Sequence, residues 1–187
     1  MRLLVSSVVS LLAAGLAAGT AGAIAADAHY TLDPAKSALE YQFTQAGALN
    51  KGKFTKYSVT LDVAADAPSK LDVVIEMASL NTGDQERDDT LKTADLFSVA
   101  KFPQSHFTST QITKTANGYD AAGKLTIRGV TKDVHVPFTF SAANGSLIGK
   151  VRLERLDYGV GQGDWKATDQ VGNDVTVSYA LKLVAGH

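Results

Sequence analysis

Between Tyr30 and Leu183 apolar and polar residues trade places at every second position, run after run, a period that belongs to strands with one face in a core and one in water. Leu39, Tyr41 and Phe43 share one parity, against Glu40, Gln42 and Thr44 on the other. The rhythm returns in Tyr57, Val59, Leu61 and Val63, and in Leu71, Val73, Ile75 and Met77. It resumes in Leu125 and Ile127, in Val134, Val136, Phe138 and Phe140, and in Leu147, Val151 and Leu153. Val175, Val177, Tyr179, Leu181 and Leu183 close the series. Turn residues punctuate it at Ala67-Pro68-Ser69, Asn117-Gly118, Arg128-Gly129 and Asn144-Gly145. About eight strands joined by short turns predict an all-β antiparallel meander, and a twisted sheet of that size closes or splits into two layers. Closure into an eight-stranded barrel is the expectation.

One segment breaks the alternation. Asp84 to Ala100, DQERDDTLKTADLFSVA, is charged and sets Leu91, Leu96 and Phe97 at roughly helical spacing. It predicts a short helical insertion over 84–100, with Gly83-Asp84 before it and Phe102-Pro103 after it. Such an insertion belongs at a barrel end, as a fixed plug or as a mobile lid.

The first residues read differently. Arg2 precedes an uncharged run, Leu3 to Ala26, and Ala23-Ile24-Ala25 offers the small residues a signal peptidase reads. A retained membrane anchor is the alternative, since the run is long enough to span a bilayer. Its second half is mostly Ala and Gly, which drive insertion weakly. The expectation is a cleaved signal over residues 1–25, with Ala28 as a second exit, and one exported, periplasmic domain over 26–187. There is no cysteine, so an exported fold must rest on burial and strand pairing, and a lipid-modified N-terminal cysteine is excluded. The formal charge is −1 with no like-charge block, which argues against nucleic acid as a partner.

Catalytic patterns are missing. His29, His106, His135 and His187 are isolated in sequence, and His106 and His135 fall on the outward parity, so neither a metal site nor a catalytic residue is assigned. Gly159-Val160-Gly161-Gln162-Gly163 has the look of a dinucleotide fingerprint but runs into Asp164-Trp165 instead of opening a helix after a strand. It reads as a glycine-rich loop. The interior is left as the candidate site: a barrel of about eight strands either fills itself or holds one ligand. Its inward residues are aliphatic and aromatic, which suits a long apolar molecule at about 0.8 kcal/mol per buried methylene.

Five ordered blocks carry a family resemblance. They are Tyr30-Thr31-Leu32-Asp33-Pro34-Ala35-Lys36-Ser37; Gly52-Lys53-Phe54 with Tyr57; Ser79 to Gly83 with Arg87-Asp88, Ala94 to Phe97, Lys101-Phe102-Pro103 and Phe107; Gly123 to Lys132 with Pro137-Phe138; and Arg155 with Asp157 to Val160 and Trp165. Together they resemble the YceI family of exported, lipocalin-like lipid-binding proteins, over about Tyr30 to Leu183. Lys36 and Thr90 stand where that family often has His, a warning against assuming one head-group specificity. The resemblance implies a lipocalin-like barrel around an elongated apolar channel, without a cofactor, that takes a polyisoprenoid, an isoprenoid quinone or a fatty amphiphile as ligand. Leu39, Tyr41, Phe43, Val73, Ile75, Leu125, Ile127, Phe138 and Phe140 would line that channel. Tyr158 and Trp165 would stand at its mouth, where amphipathic rings suit a boundary. Arg87 would meet a polar head group or, preferably, pair with Asp88 or Asp95.

Three functions compete on this reading. The first is a periplasmic carrier for a long-chain isoprenoid or similar amphiphile, with no chemistry of its own. The second is an exported interaction module for a membrane redox or stress-response partner, with any lipid incidental. The third, an enzyme on a lipid head group, needs an acid–base pair or nucleophile at the mouth, and none has supporting spacing. The carrier is preferred. Contact with a membrane, and monomer against homodimer, stay open at this stage; a closed barrel lacks free edges, so pairing would need a side-chain surface.

Overall fold

Tight turns set the register of the sheet. Ala46-Gly47, Ala65-Asp66 and Arg128-Gly129 each hold both residues at positive φ, the mirror-image turn whose twist matches the strands on either side. The computed structural model describes residues 27–186, so the export signal expected over 1–25 lies outside the described residues. The strands are β1 Ala28–Leu32, β2 Ala38–Gln45, β3 Ala48–Phe54, β4 Tyr57–Ala64, β5 Ala67–Glu76, β6 Leu80–Asn81, β7 Gln104–Thr115, β8 Gly118–Ile127, β9 Val130–Ser141, β10 Ser146–Glu154 and β11 Val171–Ala185. The one α-helix among the described residues, α1, spans Gln85–Lys92.

These strands make a closed antiparallel barrel of eight. The ring runs β1-β4-β5-β7-β8-β9-β10-β11 and shuts where β11 pairs with β1, Leu183 opposite Leu32 and Ala185 opposite Tyr30. β2, β3 and β6 form a branch from β11 that prolongs β1, β4 and β5 beyond short breaks. The first three strands are thus each broken once. At the first break Pro34 opens a single 3-10 turn, the Asp33 carboxylate accepts from the Ala35 amide, and the Ser37 hydroxyl donates to the Asp33 carbonyl. The other two breaks are clamped together by Ser79: its carbonyl accepts from Thr55 and its hydroxyl bonds both backbone groups of Lys56.

The breaks place an opening. β6 ends the branch after two residues, and the chain leaves for residues 82–103 before β7 resumes against β5. That excursion carries α1. Asp84 caps it by accepting from the Arg87 amide, and Glu86 and Asp88 stand in its first turn with Lys92 in its last, all in the sense the helix dipole favours. The helix is shorter than the predicted 84–100 insertion: Leu96 and Phe97 lie in the turns that follow it.

One turn is corrected. Ala67-Pro68-Ser69 opens β5, and the turn is Ala65-Asp66; opposite Asp62 and Val63 the register skips Ser69, a bulge that tolerates the neighbouring proline. β7, which carries His106 on its outer face as expected, shows little apolar alternation because two of its buried inward residues, Ser105 and Ser109, flank Phe107 with hydroxyls. At the barrel end away from α1 the interior is filled: Tyr30 meets Phe140 edge-on at 5.2 Å, Tyr119 stacks on Phe138 at 5.5 Å, and Leu61 and Leu183 are fully enclosed.

Candidate ligand-binding site

Inward side chains that do not meet across the barrel leave a chamber of about 160 Å³ in its middle. Leu39, Val73, Ile75, Leu125, Ile127 and Tyr158, all predicted from parity or resemblance, line it with Tyr41. Beyond it, under α1, lies a cleft of about 330 Å³ that Tyr41, Phe43 and Trp165 line. Phe138 and Phe140 line neither space; they belong to the filled end, stacked on Tyr119 and Tyr30. The structure therefore gathers nine of the eleven predicted positions around two adjoining spaces and sets two apart.

The two spaces differ in character. The chamber wall is aliphatic and aromatic apart from Ser105, Arg155 and the tyrosines. The cleft adds Gln45, Asp84, Glu86, Arg87 and Thr90. Tyr41, Phe97, Arg155, Val160 and Val175 border both and so form the junction. Tyr158, expected at the mouth, is buried in the chamber wall, and burial with help from Asp157 pushes its phenol up to about 12. Trp165, half-buried, stands at the cleft.

Arg155 is the feature that parity could have revealed. It continues the inward series Leu147, Val151, Leu153 as a cation, and is 6 % exposed. No carboxylate pairs with it among the described residues. Its Nε donates to the Gly172 carbonyl, Nη1 to Val160, and Nη2 to Val171 and Ala167. Burial lowers its pKa from the ordinary arginine value. The glycine-rich loop exists to admit it. Gly159, Gly161 and Gly163 all hold positive φ, and a Cβ on Gly161 would strike the Arg155 guanidinium. Gly161 and Gln162 then donate to the Asp95 carbonyl, tying the loop to the segment after α1.

Arg87 resolves to a structural role with a different partner from the two expected. Its guanidinium stands 3.6 Å from Asp84, at the rim of the cleft. Asp88 is buried and accepts from both the amide and the hydroxyl of Thr82, at 2.8 and 2.7 Å, which pins α1 to the end of β6. His106 and His135 face solvent, the latter 2.5 Å from Asp120, and no three His, Asp or Glu side chains among the described residues gather closely enough to hold a metal ion.

Tyr41 borders both spaces, and its hydroxyl, turned over Gly52 and out of reach of solvent, has no partner among the described residues. The residue is 6 % exposed, and its ring packs against Phe54 at 5.0 Å.

Comparison with known proteins follows the same outline. The YceI-like domain model matches residues 30–183. A UPF0312 protein of Vibrio parahaemolyticus is 32 % identical over 168 residues, which is 81 % of this chain and 88 % of that one. A UPF0312 protein of Yersinia enterocolitica is 44 % identical over 85 residues, which is 44 % of that chain. Among solved structures, BcnA of Burkholderia cenocepacia superimposes with a TM-score of 0.77 at 28 % identity, covering 82 % of this chain and 99 % of BcnA. A polyisoprenoid binding domain from Saccharophagus degradans superimposes with a TM-score of 0.63, covering 84 % and 98 %; at 20 % identity that likeness is one of fold.

Proposed function

The chain belongs to the YceI-like family, and we propose that within it this protein is a binding and carrier protein for a long-chain isoprenoid or similar amphiphile, its tail held in the barrel. One observation carries the reading: an apolar chamber adjoins, across five shared lining residues, a cleft rimmed by charged and polar side chains. An amphiphile has that polarity profile. The structural neighbour from Saccharophagus degradans is itself described as a polyisoprenoid binding domain, which supports the ligand class.

Magnitudes constrain how the tail would lie. A dry apolar cavity of about 150 Å³ takes one benzene-sized group, so the chamber of about 160 Å³ holds only the end of a chain. A longer tail runs through the junction and along the cleft under α1. About ten buried carbons would contribute about 8 kcal/mol, against an association cost that starts near 4 kcal/mol. Binding then needs little from the head group, in keeping with a carrier that performs no chemistry. Export to the periplasm is part of the proposal, resting on the Leu3–Ala26 run; without residues 2–25 the protein should stay in the cytoplasm.

The test is retention of a C40 polyprenol offered from detergent micelles, measured on protein recovered by gel filtration. Wild type should keep about one polyprenol per chain, and Ile75→Arg, which sets a charge in the chamber wall, should keep none while retaining its β-sheet circular dichroism. A folded Ile75→Arg that binds as wild type does would overturn the chamber assignment.

A further inference from the structure

We propose that the turn between β2 and β3 is a membrane-docking tip, which sets Leu49 into the surface of a lipid bilayer and brings the outer end of the cleft against it. The proposal rests on the carrier reading above and adds where the cargo is exchanged.

Position and composition both single out this turn. The cleft is lined along β2 by Tyr41, Phe43 and Gln45; Gln45 ends the strand, and the turn begins at the next residue. Ala46, Gly47, Ala48 and Leu49 are consecutive, apolar and exposed. Leu49 is 64 % exposed, more than any other large apolar side chain among the described residues. Ile148 and Val184 come next, but they lie on the wall outside the filled end, across from Thr139 and Thr31. The tip is also held in shape. The Ala46 amide donates to the Gln170 carbonyl, and the Asn50 side chain donates to the Ala48 carbonyl. A turn facing only water is ordinarily built from polar residues; a bilayer supplies the burial that the fold leaves out.

The charges behind the tip fit the same partner. Lys51 and Lys53 follow Leu49 on the outer face of β3, and neither is ion-paired among the described residues. At about 3.4 Å per residue they trail Leu49 by about 7 and about 14 Å. With Leu49 at the acyl boundary, that is the depth of the lipid phosphates. Thr44 and Gln42, across from Leu49 and Lys51, add no charge. Glu40, across from Lys53, and Asp169, which accepts from the Gln170 amide, hold the net charge of this end down. Insertion of Leu49 therefore outweighs general attraction to anionic lipid, and the contact is weak and reversible, as a carrier that departs after delivery requires.

The experiment uses protein from the exported fraction, freed of residues 1–25 so that this apolar run binds no lipid itself. Flotation with phosphatidylcholine vesicles, with and without phosphatidylglycerol, measures docking. Transfer of a C40 polyprenol from loaded protein to the same vesicles measures exchange. Wild type should float with both vesicles, and its transfer rate should rise with vesicle concentration. Leu49→Glu should cut flotation and transfer about tenfold, while Ile148→Glu should leave both within twofold. Equal flotation of Leu49→Glu and wild type, equal losses in the two variants, or flotation that requires phosphatidylglycerol overturns the docking tip and leaves the carrier reading intact. So does a transfer rate independent of vesicle concentration, the mark of release through water. Failure of wild type to load polyprenol counts against the carrier reading, and flotation of the unloaded proteins then still decides the tip.

Discussion

The ring of Tyr41 lies across Gly52, its cross-strand partner, so closely that no side chain could grow from the glycine. Gly52 is buried in mid-strand with no positive φ to explain it; the aromatic ring is its reason for being there. Gly52→Ala should therefore displace Tyr41 and cost about 1–3 kcal/mol, as overpacking does. Adding Tyr41→Ala should recover part of that loss. A double-mutant cycle by denaturant unfolding would show coupling of about 1 kcal/mol or more; additive losses would mean that the two residues do not compete for space.

Arg155 holds four backbone carbonyls with one planar group. Arg155→Met should leave those carbonyls unsatisfied and lower stability by about 3 kcal/mol. Arg155→Lys should rescue little, because an ammonium is a point donor and cannot span the same set. Full rescue by lysine would reduce the role to charge alone.

The helix over the cleft hangs on Asp88. Asp88→Ala strands the Thr82 amide and leaves its hydroxyl only the longer bond to the Asp84 carbonyl, at a cost of about 1–3 kcal/mol, and the loss should be local. Hydrogen exchange should quicken across residues 82–92 and stay unchanged in β8 and β9. Asp88→Asn, which keeps an acceptor oxygen, should have a smaller effect.

Alkaline pH should unfold the barrel through its tyrosines. Tyr158 ionises near 12 in the folded state against 10.0 ordinarily, and Tyr41 and Tyr179 are raised by burial as well. The folded chain thus holds protons that the unfolded chain has released, so stability present below about pH 10 is lost as pH rises toward about 12. Phenolate absorbance and loss of β-sheet signal should rise together for these residues. Early, reversible ionisation of all six tyrosines with the fold intact would contradict their burial.

Much of this was legible in the sequence, for identifiable reasons. Parity placed Leu39, Val73, Ile75, Leu125 and Ile127 inside, because a half-buried strand must alternate. Parity says nothing about height along the barrel, so it could not separate Phe138 and Phe140, at the filled end, from the residues that leave space. β7 is faint in the sequence, its inward face interrupted by Ser105 and Ser109. The bond of Asp88 to Thr82 and the solitary Tyr41 hydroxyl are products of tertiary approach, with no local signature. Arg155 does carry a local signature: an arginine on an inward parity announces either a buried network or a ligand.

Occupancy of the barrel decides the central claim, and native mass spectrometry of gently purified protein, followed by denaturing extraction, measures it directly. We expect one long-chain amphiphile per chain, released on denaturation and absent from Ile75→Arg. A bare protein mass that persists after incubation with polyprenols and fatty acids would contradict it, and would mean that the chamber and cleft are only imperfections in a self-filled barrel.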